Sequence, residues 1–137
     1  MLKTAIAVLL LALFTPMLAM SQDSPANLLP ECPDTPNCVR ASYPFKLLPS
    51  ELADHVMAVF KDMDAQSIDI GNVDSHEIMA VFKIMGFLDD VHVMISADQE
   101  GSLLHIRSAS RVGKSDLGVN KRRVKKILKK LEAAINS

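Results

Sequence analysis

Three consecutive runs in which apolar and polar residues alternate, roughly Glu77 to Met85, Asp90 to Ala97 and Ser102 to Ser108, constrain the fold of this chain more than any other feature. In the second, Val91, Val93 and Ile95 alternate with His92, Met94 and Ser96; in the third, Leu104 and Ile106 alternate with Leu103, His105 and Arg107. A period of two belongs to strands with one buried face. Asp98-Gln99-Glu100-Gly101 supplies turn chemistry between these two runs and joins them as an antiparallel hairpin. For the aliphatic residues to share a face, odd positions of the second strand must oppose even positions of the third. That parity also gathers Asp90 and His92 on one face with His105, Arg107 and Arg111.

Helical patterns flank the strands. Ser50 is suited to an N-cap and Glu51 to the positive helix end, and Leu52, Val56, Val59, Phe60 and Met63 recur at helical spacing, which predicts a helix over about Glu51 to Met63. Ser67 to Ile70 is a short strand candidate, followed by Gly71-Asn72 as a turn. From Gly118 or Val119 to Ile135, residues Val124, Ile127, Leu128, Leu131, Ala134 and Ile135 form one aliphatic stripe, with Arg122, Lys125, Lys126, Lys129 and Lys130 opposite. Upstream, Pro25, Pro30, Pro33 and Pro36 forbid regular helix, and Val39 to Lys46 reads as an edge strand until Pro44 interferes. The expected fold is α+β, in two layers: an antiparallel sheet of 3 to 5 strands with two helices packed on one face. The expected organisation is a single domain over residues 50–137, preceded by a proline-rich arm over residues 22–49.

Residues 1–21 have the pattern of a secretory signal peptide. Lys3 is the positive n-region, Ala5 to Phe14 an unbroken apolar run, and Thr15-Pro16 a break before cleavage after Ala19 or Ser21. Export to the periplasm or the medium follows as the expectation, with an uncleaved anchor as the alternative. In such a compartment Cys32 and Cys38, in E-C-P-D-T-P-N-C-V, are expected to form a disulfide. They lack C-x-x-C spacing and have no histidine nearby, which disfavours redox and metal roles.

Charge is unevenly distributed. From Gln22 to Glu100 there are 4 basic and 14 acidic residues, and from Gly101 to Ser137 there are 10 basic and 2 acidic. Neutralisation between the halves explains the basic end without nucleic acid, which export also disfavours. The basic helix face is either a solvated surface or a contact for anionic lipid or a polyanion.

The densest polar stretch is R-S-A-S-R-V-G-K-S-D-L-G-V-N-K-R-R, from Arg107 to Arg123. Gly113-Lys114-Ser115 falls short of a phosphate-binding loop, because Ser108 stands where the first glycine belongs. Asp116 and Asn120 can cap the last helix instead, with Gly113 and Gly118 supplying tight backbone geometry. Arg107, Arg111 and Arg123 are expected to converge with Asp89 and Asp90, either as a structural network or leaving one arginine free for an external carboxylate, phosphate or sulfate.

C-P-D-T-P-N-C-V, F-L-D-D-V (Phe87 to Val91) and the stretch from Arg107 to Val124 resemble the signatures of a family known only as domain of unknown function fourteen ninety-nine. The resemblance covers about Leu29 to Leu131. It implies a small bacterial or plastid-associated protein, often with a membrane or secretory segment, and supplies no activity or cofactor. It marks Asp89, Asp90, Arg107, Ser108, Ser110, Arg111, Gly113, Asp116, Gly118, Asn120 and Arg123 as matching positions.

The leading expectation is an exported, non-enzymatic binding or accessory protein without cofactor or metal. Its ligand site would comprise Arg107, Ser108, Ser110, Arg111, Asp116, Asn120 and Arg123, and its partner would be a small anion or an anionic membrane surface. A hydrolase or transferase using Asp89 or Asp90 with His92 or His105 is one alternative. A purely structural network, in which Arg111 neutralises a buried aspartate, is the other.

Overall fold

A computed structural model describes residues 25–137; the expected signal peptide lies outside the described residues. Seven elements follow in order: β1 (Cys38–Phe45), α1 (Pro49–Asp62), β2 (Ser67–Ile70), β3 (Ile78–Ile84), β4 (Phe87–Asp98), β5 (Gly101–Ser110) and α2 (Val119–Ile135). The strands form one antiparallel sheet in the order β1-β5-β4-β3-β2. The expected α+β architecture is thus observed, with five strands and two helices.

Alternation sets the two faces. Val91, Val93 and Ile95 of β4 oppose Ser108, Ile106 and Leu104 of β5, in the parity expected from the sequence. The aliphatic side chains among them form one buried core with Ile78, Ala80 and Phe82 of β3, with Leu52, Val56, Val59 and Phe60 of α1, and with Val124, Ile127 and Leu131 of α2. Phe60 meets Phe82 edge to face, ring centroids 5.7 Å apart. The opposite, open face carries Arg40 and Ser42 of β1, His105 and Arg107 of β5, and Asp90, His92, Met94 and Ser96 of β4.

Three local expectations need correction. Ser50 does not cap α1: Leu48 holds that position, Pro49 opens the helix with its preset φ, and the Glu51 carboxylate accepts the Leu48 N–H at 3.0 Å. β4 begins at Phe87 rather than Asp90, because Ile84 and Phe87 pair across the two-residue turn Met85-Gly86. Both turn residues have positive φ (50° and 86°), the twist that matches a hairpin. Pro44 does not end β1, which runs to Phe45 at the sheet edge, where a missing N–H costs no ladder bond.

The arm is tied down on the open side. Arg40 donates to the carbonyls of Asn27 (2.6 Å) and Leu29 (3.0 Å), and the Asn27 amide donates to Ser42 (3.1 Å). Leu29 is buried. Cys32 and Cys38 form the expected disulfide, Cα atoms 5.7 Å apart. Among the described residues, no helix is long and apolar enough to cross a membrane.

Candidate functional site

On the helix side of the sheet, polar groups enclose one buried ion pair. Asp89 is the first buried residue of β4, and its Oδ2 accepts the Arg123 Nη2–H at 2.6 Å. Their side chains are 2% and 7% exposed. The other guanidinium nitrogen donates to Asn120 Oδ1 (2.8 Å) and Ser108 Oγ (3.3 Å), and the guanidinium carbon lies 5.2 Å from the Phe82 ring centroid. The Arg123 charge is thus paired inside the protein, by Asp89.

Asn120 links that pair to the loops. Its oxygen also accepts the Ser108 hydroxyl at 2.6 Å, and its amide donates to Asn37 O, Ser110 Oγ and Asp116 Oδ2. The Asp116 carboxylate in turn accepts the backbone N–H groups of Gly118 and Asn120, both at 2.8 Å. Burial disfavours ionisation of Asp116, but these bonds outweigh it and hold its carboxyl below the ordinary value. The anion at the N-terminus of α2 is therefore the protein's own, and Asn120 is a hub rather than a second cap.

The open face is organised differently. Arg111 grips Asp90 through Nε (2.9 Å) and Nη2 (2.8 Å), but this pair is 44% and 49% exposed. His92 Nε2 lies 2.6 Å from Glu77 Oε1, while Glu77 Oε2 accepts the Asn72 N–H and holds the β2–β3 turn. That backbone bond, followed by the histidine, keeps the Glu77 carboxyl below its usual range. His105 is buried between two hydroxyls, Ser42 Oγ at 2.8 Å from Nδ1 and Ser96 Oγ at 2.9 Å from Nε2. Beside it, a cavity of about 350 Å³ is lined by Ala26 and Leu28 of the arm, His76, Met94 and Ser96.

Arg107 of β5 lies on this face one strand in from the edge. In register, Arg40 stands opposite it on β1 and His92 on β4. Its Nε is buried without a hydrogen-bond partner, and among the described residues no carboxylate forms an ion pair with it. Each of the other two predicted arginines has one.

The three arginines therefore do not converge. Arg123, Ser108, Asp116 and Asn120 assemble on the helix side with Asp89, joined by Ser110 through Asn120, whereas Arg107 and Arg111 belong to the open side with Asp90. Adjacent strand residues point to opposite faces, so Asp89 and Asp90 could not both serve one cluster. The aspartate–histidine pairing does not form either: Asp90 bonds Arg111, and the carboxylate that reaches an imidazole is Glu77. Sequence reasoning missed Glu77, Arg40, Ser42, Ser96 and Asn37. Strand parity pointed to Ser42 and Arg40 once β1 was registered on β5, but nothing local marked Asn37, whose carbonyl is 83 residues from its Asn120 donor.

His105 carries a testable consequence. Burial, and then the nearby Arg40 charge, depress its pKa below the ordinary imidazole value of about 6.5. The unfolded chain then binds the proton more readily, so this contribution to stability is complete above about pH 6.5 and is lost as pH falls below it towards the folded value. Urea denaturation between pH 7.5 and 5.5 should show stability falling, with a shallower fall in His105→Gln; equal slopes would refute the assignment. Glu77 and Asp116, also depressed, add their loss only below the ordinary carboxylate range of about pH 4.

No curated protein matches the chain. A family model described as protein of unknown function (DUF1499) matches residues 28–131, from the arm through Leu131 of α2. That span contains both polar assemblies and all five strands, and the chain belongs to this family.

Proposed function

We propose that this protein is an exported binding module that holds a small anion on its open sheet face, with Arg107 as the principal donor. The carrying observation is the Arg107 guanidinium, unpaired among the described residues and with a buried unpartnered Nε, while Arg111 and Arg123 already hold carboxylates. Directly opposed like charges in a sheet are unfavourable, and Arg40 faces Arg107 across β1 and β5. Arg40 is drawn off by the arm carbonyls and by Glu31 at 3.4 Å; an anion does the same for Arg107. Export is supported by the disulfide and by the N-terminal charge and apolar pattern.

The test is a thermal-shift and calorimetric titration of the purified protein with acetate, succinate, phosphate and sulfate. At least one should bind saturably and raise the melting temperature. Arg107→Gln should weaken that binding about tenfold or more, the loss of a charged hydrogen-bond donor, while Arg111→Gln leaves it unchanged. Identical titrations for the parent and Arg107→Gln would end the proposal.

A further inference from the structure

We infer that the end of the sheet formed by the β3–β4 turn and the loop before α2 docks on anionic membrane surfaces, independently of the site at Arg107. The two segments lie at one end of the molecule: Asp89 pairs with Ser110, and the Arg111 N–H donates to Leu88 O at 3.1 Å. Asn120 bonds Ser110, which places the start of α2 there as well. On this end Met85 is 91% exposed and Leu117 86%, with Ile84, Phe87 and Val112 also exposed.

These side chains are costly where they stand. Met85 holds φ 50° in a tight hairpin turn, a position that favours asparagine or glycine, and its thioether chain lies almost wholly in water. A methionine there has neither a backbone nor a packing reason. Flexible methionine with phenylalanine and leucine suits insertion among acyl chains.

Charge selects the kind of surface. Lys83, Lys114, Lys121 and Arg122 surround the apolar residues, are exposed, and form no ion pair among the described residues. The carboxylates of these same segments are occupied: Asp89 by Arg123, Asp90 by Arg111, and Asp116 by backbone N–H groups. The exposed Lys125, Lys126 and Lys129 continue the cationic surface along α2. An apolar tip inside a cationic collar complements an anionic bilayer, where lysine stems reach the headgroups while the apolar tips enter below them.

The chain contains no tryptophan, so Phe87→Trp introduces a single reporter. The apolar run Ala5 to Phe14 would bind vesicles whatever their charge, and for that reason the readout is placed in the tip. Vesicles of phosphatidylcholine with about 30% phosphatidylglycerol should blue-shift the indole emission, with apparent affinity at least about tenfold above pure phosphatidylcholine. Lys83→Glu combined with Lys114→Glu and Arg122→Glu, or about 0.5 M salt, should abolish the shift. No shift on anionic vesicles, or an equal shift on neutral ones, would overturn the inference. So would a shift produced by soluble dextran sulfate and not by vesicles, which would make the surface a polyanion site.

Discussion

Asp89→Ala should cost about 3–5 kcal/mol of stability, because it leaves the Arg123 guanidinium charged and uncompensated against the Phe82 ring. For a domain of this size that corresponds to roughly 10–25 °C in melting temperature. Arg111→Ala, by contrast, should leave the melting temperature nearly unchanged, because solvent screens the exposed pair with Asp90 and hydrates either partner alone. The two variants separate a buried network from a surface contact within one short stretch of sequence. A third completes the argument: Asp89→Leu combined with Arg123→Met removes both charges and should recover most of the loss. Urea denaturation of the set measures all three. A loss below about 1 kcal/mol for Asp89→Ala would show that water or a mobile neighbour compensates Arg123, and the buried-pair account would fail.

That contrast also shows what could be read from the chain. Alternation at Val91, Val93 and Ile95 fixed which residues face the helices, and the stripe from Val124 to Ile135 fixed how α2 lies on them, because both periods follow from local backbone geometry. The same alternation separates Asp89 from Asp90. Grouping arginines by nearness in sequence therefore placed the buried carboxylate with Arg111, when the residue facing it is Arg123 on the next helix. Arg107 was correctly placed beside His105 on the open face, since parity alone decides it. Its lack of a partner was not legible, because that depends on where Glu77, Asp90 and the arm come to rest. Glu77 reaches His92 only after the chain has turned at Met85-Gly86, and Arg40 meets the arm carbonyls only once β1 has docked on the sheet edge. Contacts of this kind are set by tertiary register, to which residue-by-residue propensity is blind.

Asn120→Leu, which keeps the branching and the number of side-chain heavy atoms, should cost about 3 kcal/mol or more for a reason other than charge. The asparagine oxygen accepts from Ser108 and Arg123, and its two amide hydrogens are shared among Asp116 at 2.7 Å, Ser110 at 2.8 Å and the Asn37 carbonyl at 3.2 Å. Leucine leaves the Arg123 Nη1–H only its longer bond to Ser108 and deprives the Ser108 hydroxyl of its acceptor, in a place water does not reach. The loss should also be localised. Asn120 and Asn37 together tie the disulfide loop to the loop before α2, where the Asn37 amide donates to Gly113 O at 2.8 Å. Hydrogen exchange in residues 111–118 should therefore accelerate more than in β4. Asn120→Asp distinguishes the hub from mere packing. It puts a second carboxylate where the amide now donates to Asp116 Oδ2 at 2.7 Å, and two such groups at that distance favour sharing a proton. Stability of this variant should be low at neutral pH and rise on acidification through the upper titration of the pair, opposite in sign to the His105 effect in the parent. A melting temperature for Asn120→Asp that only falls as pH is lowered from 7.5 would mean that its carboxylate has turned away from Asp116, and that the network can be re-formed without the amide.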